Sequence, residues 1–272
     1  RARPGRDEKV LAGWNGWMLA AFAEAALAFD SDELREVVVR NADFLLAKLV
    51  SGDRVTRSWK EGVAKIDGLL EDYGGVAWGM IAAFEATQNR TYLESARTLA
   101  AAILERFRDA DQGAFWDTPA DGERLITRPR DAFDNATPSG NSLAVAALFR
   151  LAAYYGDAKL ERAARTALEA LWPLARRYPS AFGFLLAHAA EWAAGNVREI
   201  AITGPRDDLG FRTLLQVVGE SFLPSRILVW SDARDLPLME DKPQDRIAAW
   251  VCEGYHCLAP TTDPEELRSM LE

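Results

Sequence analysis

The chain has 272 residues, 49% of them hydrophobic, which is enough for a globular core in one large domain or two smaller ones. Its formal net charge of −9 argues against a nucleic-acid partner, because proteins that bind nucleic acids usually present a basic face. No apolar run reaches the ~18 residues of a membrane-spanning helix, and the start of the chain lacks a signal-peptide pattern, so no membrane partner is expected.

An array of α-helical hairpins is predicted over residues 1–196. Apolar residues recur there at helical spacing, with long loops at one end of the hairpins and short turns at the other. The predicted helices cover residues 13–29, about 32–49, 69–87, 91–107, 139–155, 158–175 and 180–194. Pro173 is expected to kink or shorten the sixth of them.

Two of the long connections have an extended pattern. Residues 54–65 read as a loop or a short hairpin, with Val55, Trp59 and Val63 spaced along it. The turn-rich stretch that includes residues 111–119 reads as a short hairpin in its middle.

Residues 197–272 have a different character and predict a small α/β unit. Strands at 198–203 and 226–230 flank an amphipathic helix at 208–222, an order that implies a parallel strand pair. A third strand is expected at 248–251 or at 255–258. The last helix is predicted to begin after Asp263, a capping residue that is followed by Pro264 and, at the third position, by Glu266.

Three of the predicted helices begin with polar motifs that contain large rings or glycine. They recur at roughly 60-residue intervals, as structural repeats do. The motifs are Trp14-Asn15-Gly16, Glu71-Asp72-Tyr73 and Ser139-Gly140-Asn141. Because a repeat places its helix starts side by side, we expect the three motifs to converge on one rim of the fold.

The motifs and their neighbouring loops supply the candidate site residues. Asp72 or Asp134 is the candidate catalytic acid/base, since such carboxyl groups suit proton transfer on sugars. The candidate substrate-binding residues are Trp14, Asn15, Tyr73, Trp59, Trp116, Ser139 and Asn141. Each candidate also has a structural alternative. The polar residues would serve as helix caps, and the rings would fill the core or cover helix ends. Asp131 and Asp134 would pair with Arg128 or Arg130.

The histidines and cysteines give no sign of a metal or redox centre. His188 and His256 have no second histidine or carboxylate at metal-ligand spacing, so a core or surface role is expected for both. Cys252 and Cys257 lack redox spacing, and we expect buried thiols in a reducing, cytoplasmic compartment. No nucleotide-binding or serine-nucleophile motif occurs either, so no metal and no cofactor is expected.

The chain resembles the C-terminal part of a family that includes the spermatogenesis-associated, thioredoxin-domain-containing proteins. The matching pieces are Asp7-Glu8-Lys9-Val10-Leu11 with Trp14-Asn15-Gly16, Leu70-Glu71-Asp72-Tyr73, Asp134 with Pro138-Ser139-Gly140-Asn141-Ser142, and Cys252 to Cys257 followed by Ala259-Pro260 and Asp263-Pro264-Glu265-Glu266-Leu267. The helical part of that family is similar to N-acylglucosamine 2-epimerases and six-hairpin glycosidases. The resemblance therefore implies an (α/α)6 barrel with a sugar-type pocket at its loop-rich end.

The chain departs from that pattern in two ways. Epimerases of that group rely on paired histidines near the barrel mouth, and no matching pair is found here, which puts epimerase activity in doubt. The barrel needs twelve helices, whereas about seven are predicted. We therefore expect a fragment whose first hairpins and thioredoxin-like domain would lie upstream.

Three functions remain open from the sequence. The first is a carbohydrate-binding or carbohydrate-modifying pocket, isomerase-, epimerase- or glycosidase-like, for a sugar-like small molecule. The second is a non-catalytic helical scaffold that self-associates or packs with a missing N-terminal region. The third is an accessory to a redox thioredoxin domain. The sequence does not decide whether the chain is an enzyme.

Overall fold

The computed structural model describes residues 5–195, 197–230, 233, 235–254 and 256–272. Its first part consists of three successive helical hairpins, as the apolar periodicity predicted. Their helices are α1 Ala12–Ala28, α2 Asp32–Lys48, α3 Leu70–Thr87, α4 Arg90–Arg106, α5 Gly140–Tyr155 and α6 Ala158–Arg177.

The odd-numbered helices form an inner layer and the even-numbered helices an outer layer. α3 and α5 are buried along nearly their whole length, and α3 packs against both α1 and α5. In α2, α4 and α6 only one stripe is buried, as expected for helices that face solvent on one side. Although the inner helices are apolar, none of the described helices has the length and hydropathy needed to cross a bilayer.

α1 and α3 lie backbone to backbone because glycines face each other along their contact. A Cβ atom at Gly16 would lie 2.2 Å from the carbonyl oxygen of Gly75, and one at Gly79 would lie 2.4 Å from the carbonyl oxygen of Gly16. Only hydrogen fits at these positions. The glycines therefore fix the distance between the first two inner helices.

The connection between α2 and α3 is a β-hairpin, one of the two structures predicted for it. β3 Arg54–Lys60 pairs antiparallel with β4 Val63–Asp67. The two-residue strands β1 Val10–Leu11 and β2 Val50–Ser51 also pair antiparallel with β3. This small sheet covers the end of the array at which α1 and α3 begin.

The short hairpin predicted around residues 111–119 is reduced to a minimal antiparallel pair, with backbone hydrogen bonds from Asp109 to Ala114 and from Trp116 to Phe107, both at 2.8 Å. The described connection from residue 107 to residue 139 contains only an isolated bridge, between Arg108 and Phe115. The side chain of Asn141 bonds both the backbone N–H and the carbonyl oxygen of Phe115, at 2.9 and 3.0 Å. The backbone groups of Phe115 that point away from Arg108 are thus satisfied by a side-chain amide.

Pro173 does not end α6, which continues to Arg177. Pro173 and Glu169 both lie on the exposed face of the helix, so the carbonyl group that loses its N–H partner faces solvent. The last helical segment begins with a 3₁₀ turn, Pro179–Ala181. It then runs through α7 Gly183–Leu185 and a π-helical stretch, Leu186–Ala190, into α8 Glu191–Ala194.

The C-terminal part is the predicted α/β unit. β5 Arg198–Thr203 and β6 Arg226–Val229 pair in parallel and are joined through α9 Leu209–Glu220. β7 Ala248–Glu253 pairs antiparallel with β5, and β8 His256–Cys257 with β7, so both predicted locations of a third strand contain one, although Tyr255 lies outside the described residues. α10 Pro264–Leu271 follows the predicted cap.

The cap of α10 differs in one detail from the predicted capping box. The Asp263 carboxylate accepts a hydrogen bond from the backbone N–H of Glu265, at 2.9 Å. The carboxylate of Glu266 does not return to the cap; it accepts a hydrogen bond from the hydroxyl of Thr261. Glu266 therefore ties the helix to the preceding loop.

The helical array and the α/β unit pack tightly on each other. A Cβ atom at Gly219 of α9 would lie 2.3 Å from the carbonyl oxygen of Leu27 in α1. The first strand of the α/β unit begins at Arg198, close to the predicted boundary. Asn196 itself lies outside the described residues. The division into domains at 1–196 and 197–272 stays a prediction.

Cys252 and Cys257 form a disulfide, so the prediction of two buried thiols is wrong. The two residues are direct partners in the β7–β8 pair, with their Cα atoms 3.9 Å apart. Cys252 is buried and Cys257 is exposed. The argument from the cysteines for a reducing compartment therefore loses its basis, and the cytoplasmic location stays a prediction.

Replacing Gly16 by Ala should lower the free energy of unfolding by at least ~2 kcal/mol, because overpacking typically costs ~1–3 kcal/mol and the obstacle here is backbone. Urea denaturation followed by circular dichroism measures the change. Gly183→Ala is the control, since nothing lies within 4 Å of the added Cβ atom, and it should be neutral or slightly stabilising. Equal stability of Gly16→Ala and the wild type would contradict the close contact of α1 with α3.

Candidate functional site

The three helix starts lie side by side, at the end of the inner layer. The backbone N–H of Gly13 in α1 donates to the Asp72 side chain at the start of α3, at 3.1 Å. A Cβ atom at Gly140, the first residue of α5, would lie 2.8 Å from the backbone nitrogen of Glu71. The chain segments that carry the three motifs are thus in direct contact.

Asp72 is buried and holds this junction together. One carboxylate oxygen accepts from Gly13, and the other accepts from the backbone N–H of Leu69 at 3.0 Å and from the Arg57 guanidinium at 2.8 Å. Burial raises the pKa of Asp72, and the hydrogen bonds and the charge of Arg57 offset only part of that effect. The carboxylate caps α3 and joins it to α1 and β3.

Two other motif residues have partners inside the protein. The hydroxyl of buried Tyr73 accepts a hydrogen bond from Arg106 at 2.9 Å. The hydroxyl of Ser139 caps α5 by accepting from the backbone N–H of Ser142 at 3.1 Å. Like Asn141, which holds the Phe115 backbone, these side chains stabilise the ends of the inner helices.

Asp134 caps the last inner helix. Its carboxylate accepts from the backbone N–H groups of Ser139, Phe184 and Leu185, at 2.8, 2.9 and 3.1 Å. No ion pair of Asp131 or Asp134 with Arg128 or Arg130 is found among the described residues, and Arg130 pairs with Asp109 instead. Asp134 therefore ties the start of α7 to the start of α5.

The arginines of this loop are held elsewhere. Arg128 donates to the carbonyl oxygen of Thr118. The guanidinium groups of Arg128 and Arg130 lie 5.3 and 4.2 Å from the ring centroid of Trp116. The half-buried Trp116 ring is thus covered by cations.

The remaining candidates do not join the cluster around Asp72. Trp14 is 59% exposed on the surface of α1, and the amide of Asn15 donates to the carbonyl oxygen of Leu11 within the same helical turn. Trp59 lies on β3 with its ring edge-on to Phe44, at 5.4 Å between centroids. A single pocket formed by all nine predicted residues is therefore not present among the described side chains.

A small acidic pocket of about 220 Å³ lies beside the helix starts, lined among others by Glu71, Asp117, Asp131 and Phe133. Asp117 is half-buried and accepts a hydrogen bond from the backbone N–H of Asp131 at 2.8 Å. Burial raises the pKa of Asp117, and the negative charges of Asp131 and Glu71 raise it further, against the effect of that hydrogen bond. The pocket is too small to hold more than a small ligand.

A much larger cavity, of about 1350 Å³, lies between the inner helices and the α/β unit. We call it the central cavity. Its wall includes the rings of Trp17, Trp78 and Phe184 and the side chains of Glu24 and His188. Further wall residues are Ala20, Ala21, Ala25, Ala28, Pro138, Arg150, Arg198, residues 219–226, Glu253, Leu271 and Glu272. The small alanines of α1 leave the space that the larger rings enclose.

The floor of the central cavity rests on a buried ionic network. Arg150 of α5 pairs with the fully buried Glu85 of α3 at 2.7 Å, and its guanidinium lies 4.7 Å from the centroid of Trp78. Arg226 of β6 pairs with Glu24 of α1 at 2.7 Å. Charges from the inner helices and the sheet thus meet at one wall.

Glu24 remains ionised in this setting. Burial raises the pKa of Glu24, but the positive charges of Arg226 and Arg150 and the hydrogen bond from Arg226 outweigh it, so the pKa lies below its ordinary value. Its side chain is half-exposed to the space of the cavity. A carboxylate is therefore available to a ligand at this point.

His188 lies on the π-helical stretch and lines the central cavity. Its ring is 5.0 Å from Trp78 and 4.4 Å from Phe184, between centroids. Burial and the charge of Arg150 lower the pKa of His188, against the hydrogen bond to the Pro224 carbonyl and the charges of Glu24 and Asp134. At neutral pH the imidazole is uncharged.

None of these cavity residues was among the candidates from the sequence. One signal was present, since Glu85 and Arg150 are isolated charges within almost wholly apolar helices and so require buried partners. His188 had been given a core or surface role because no second histidine accompanies it. Its position depends on a π-helical turn, which the sequence pattern does not reveal.

The helical array has the fold of part of an (α/α)6 toroid, followed by a small α/β unit. It is similar to the cellobiose 2-epimerase of Bacillus thermoamylovorans B4167, with a TM-score of 0.52 and 12% identity over 61% of this chain and 45% of that one. It is also similar to the family 76 glycoside hydrolase (mannosidase) Bt3792 of Bacteroides thetaiotaomicron VPI-5482, with a TM-score of 0.51 and 14% identity over 60% of this chain and 44% of that one. At these identities the likeness concerns the fold alone.

The chain is a homologue of spermatogenesis-associated protein 20, which confirms the resemblance carried by its motifs. It is 30% identical to the human protein over 291 residues and 30% identical to the Rattus norvegicus protein over 285 residues. These matches cover 100% and 97% of this chain, which spans only 37% and 36% of the relatives' length. No known protein-family profile matches the sequence. The thioredoxin-like domain of the predicted family stays a prediction.

His188 should titrate below the ordinary histidine pKa of 6.5. Proton NMR measures this directly, because the chain has only two histidines and His188→Gln assigns the signal. The unfolded chain then binds the His188 proton more tightly than the folded chain does. The stability contributed by neutral His188 is therefore fully present above pH 6.5 and is lost as the pH falls through the folded-state pKa. The wild type should lose stability relative to His188→Gln over that window, and a His188 pKa at or above 6.5 would contradict the buried setting.

Proposed function

We propose that the chain binds a carbohydrate-like ligand in the central cavity. The observation that carries the proposal is the cavity itself: aromatic faces and a few ionic groups surround about 1350 Å³ between inner helices of a partial toroid. Trp17, Trp78 and Phe184 offer apolar faces of the kind that pack against sugar rings. The toroid fold that the chain shares with a cellobiose epimerase and a mannosidase supports the same class of ligand.

The polar groups of the cavity suit hydroxyl groups. The Glu24 carboxylate accepts hydrogen bonds and the Arg226 guanidinium donates them. The neutral His188 imidazole uses its one N–H on the Pro224 carbonyl, so it offers a ligand only its ring face and its acceptor nitrogen. His188 and Glu24 are also groups that can exchange protons with a bound sugar, which would make the chain a carbohydrate-modifying enzyme. Asp72 and Asp134 remain predicted acid/base residues, but neither lines the central cavity, and both already accept backbone hydrogen bonds.

Filling the cavity should abolish ligand binding without disturbing the core. Ala21 is exposed on the cavity wall, so Ala21→Trp should occupy the space and lower the affinity for any bound sugar at least tenfold. Titration calorimetry with a panel of neutral mono- and disaccharides measures the effect.

The matched control is Ala101→Trp, which places the same ring on the exposed face of outer helix α4. It should bind as the wild type does. The proposal fails if no sugar of the panel binds the wild type, or if Ala21→Trp binds as well as the control.

An exposed apolar stripe on α1 supports a second proposal, in which the chain packs against another polypeptide. Trp14, Met18 and Phe29 are 59%, 54% and 76% exposed along one side of the helix, and Phe222 of the neighbouring loop is 92% exposed. Several large apolar side chains exposed on one face are typical of interaction sites. We propose that a second copy of the chain covers this apolar stripe, which can be tested directly.

The wild type should show concentration-dependent self-association in sedimentation velocity. A charge in the middle of the stripe, Met18→Lys, should shift the protein towards the monomer because it would be buried without a partner. Val39→Lys, at another exposed apolar residue, on α2, is the control and should associate like the wild type. A wild type that remains monomeric at all concentrations rules out the self-association.

A further inference from the structure

Each guanidinium on the wall of the central cavity already has a carboxylate partner. Arg226 pairs with Glu24 at 2.7 Å, and Arg198 pairs with Glu253. The third, Arg150, pairs with Glu85 at 2.7 Å behind the wall. Within the described residues the cavity therefore offers no unpaired cationic side chain to a ligand.

The charge that remains on the wall is negative. Besides the paired residues, the wall carries the carboxylates of Glu220 and Glu272; in the part of the chain that the structure describes, Glu220 has a basic partner, Arg268, at 3.4 Å, and Glu272 has none. His188 does not compensate for them, because its imidazole is uncharged at neutral pH. An anionic group that entered the cavity would meet carboxylates without gaining an ion pair.

An uncharged polyol is not repelled by these carboxylates and can form hydrogen bonds with the paired groups. Its hydroxyl groups can donate to the Glu24 carboxylate and accept from the Arg226 guanidinium without breaking the pair. The cavity volume of about 1350 Å³ also exceeds the ~300–1,000 Å³ of most small-molecule sites, which leaves room for more than one sugar ring.

Resting on the proposed carbohydrate function, we infer that the ligand is a neutral oligosaccharide and that Glu24 is the residue that excludes acidic sugars. Glu24 acts by neutralising Arg226, a buried cation on the cavity wall. Without the Glu24 charge, the one carboxylate left near the Arg226 guanidinium, among the residues described, would be Glu85 at 3.9 Å. It would then be able to pair with a carboxylate or phosphate of a ligand.

The experiment compares neutral disaccharides (cellobiose, maltose and mannobiose) with their uronic acid forms by titration calorimetry at low salt. The wild type should bind a neutral sugar at least tenfold more tightly than its acidic counterpart. Glu24→Gln should gain about tenfold in affinity for the acidic form, and this gain should disappear at high salt. Glu24→Asp, which keeps the charge, should retain the wild-type preference.

Two further variants separate this role from general effects. Glu94→Gln makes the same change at an outer-helix ion pair with Arg90 and should alter neither affinity. Glu253→Gln removes the carboxylate partner of Arg198 at the cavity edge and should also allow acidic sugars to bind. A thermal melt shows whether Glu24→Gln folds, and Glu253→Gln tests the inference if it does not.

The outcomes distinguish this inference from the function on which it rests. If acidic sugars bind the wild type as tightly as neutral ones, the inference is wrong while the carbohydrate function stands. If neither freed arginine brings a gain for acidic sugars, the assigned role of the carboxylates is wrong. If no sugar of either kind binds, the proposed function fails, and the inference fails with it.

Discussion

The structure depends on one buried carboxylate, Glu85, in the middle of the inner layer. Its Oε1 atom accepts hydrogen bonds from the Tyr154 hydroxyl at 2.6 Å and from the backbone N–H of Leu228 at 3.2 Å, and it pairs with Arg150. An unpartnered charge at this depth would cost several kcal/mol, so the network is favourable only when α3, α5 and β6 are all in place. Glu85 thereby fixes the α/β unit on the helical array.

The same network determines the chemistry of the central cavity. β6 places Leu228 on Glu85 and, two residues earlier, Arg226 beside Glu24 on the cavity wall. The guanidinium groups that face the cavity are therefore needed to hold the fold together and arrive there already neutralised. The proposed preference for hydroxyl groups over net charge rests on this structural requirement, because the guanidinium groups on the wall are already paired with carboxylates.

The sequence predicts those parts of the fold that local pattern determines. Helical periodicity located α1 to α6, and the Asp263-Pro264 cap located α10, because these signals act within a few residues. Prediction from the sequence failed where contacts between residues far apart in the chain determine the local structure. The side chain of Asn141 binds the Phe115 backbone from 26 residues away, and the disulfide between Cys252 and Cys257 depends on the register of β7 with β8. Pro173 was tolerated because its side of α6 faces solvent.

The candidate site was harder to predict because the recognisable motifs are used to build the fold. Their glycines and caps, such as Gly16 and Asp72, allow the inner helices to begin in contact, and a side chain with all its hydrogen-bonding capacity engaged has little left for a ligand. The groups proposed to contact a ligand, Glu24 and His188, lie elsewhere on the helical array, in segments with no motif of their own. A motif that is shared with a relative can therefore position the helices around a site, while the side chains proposed to contact the ligand lie elsewhere on those helices.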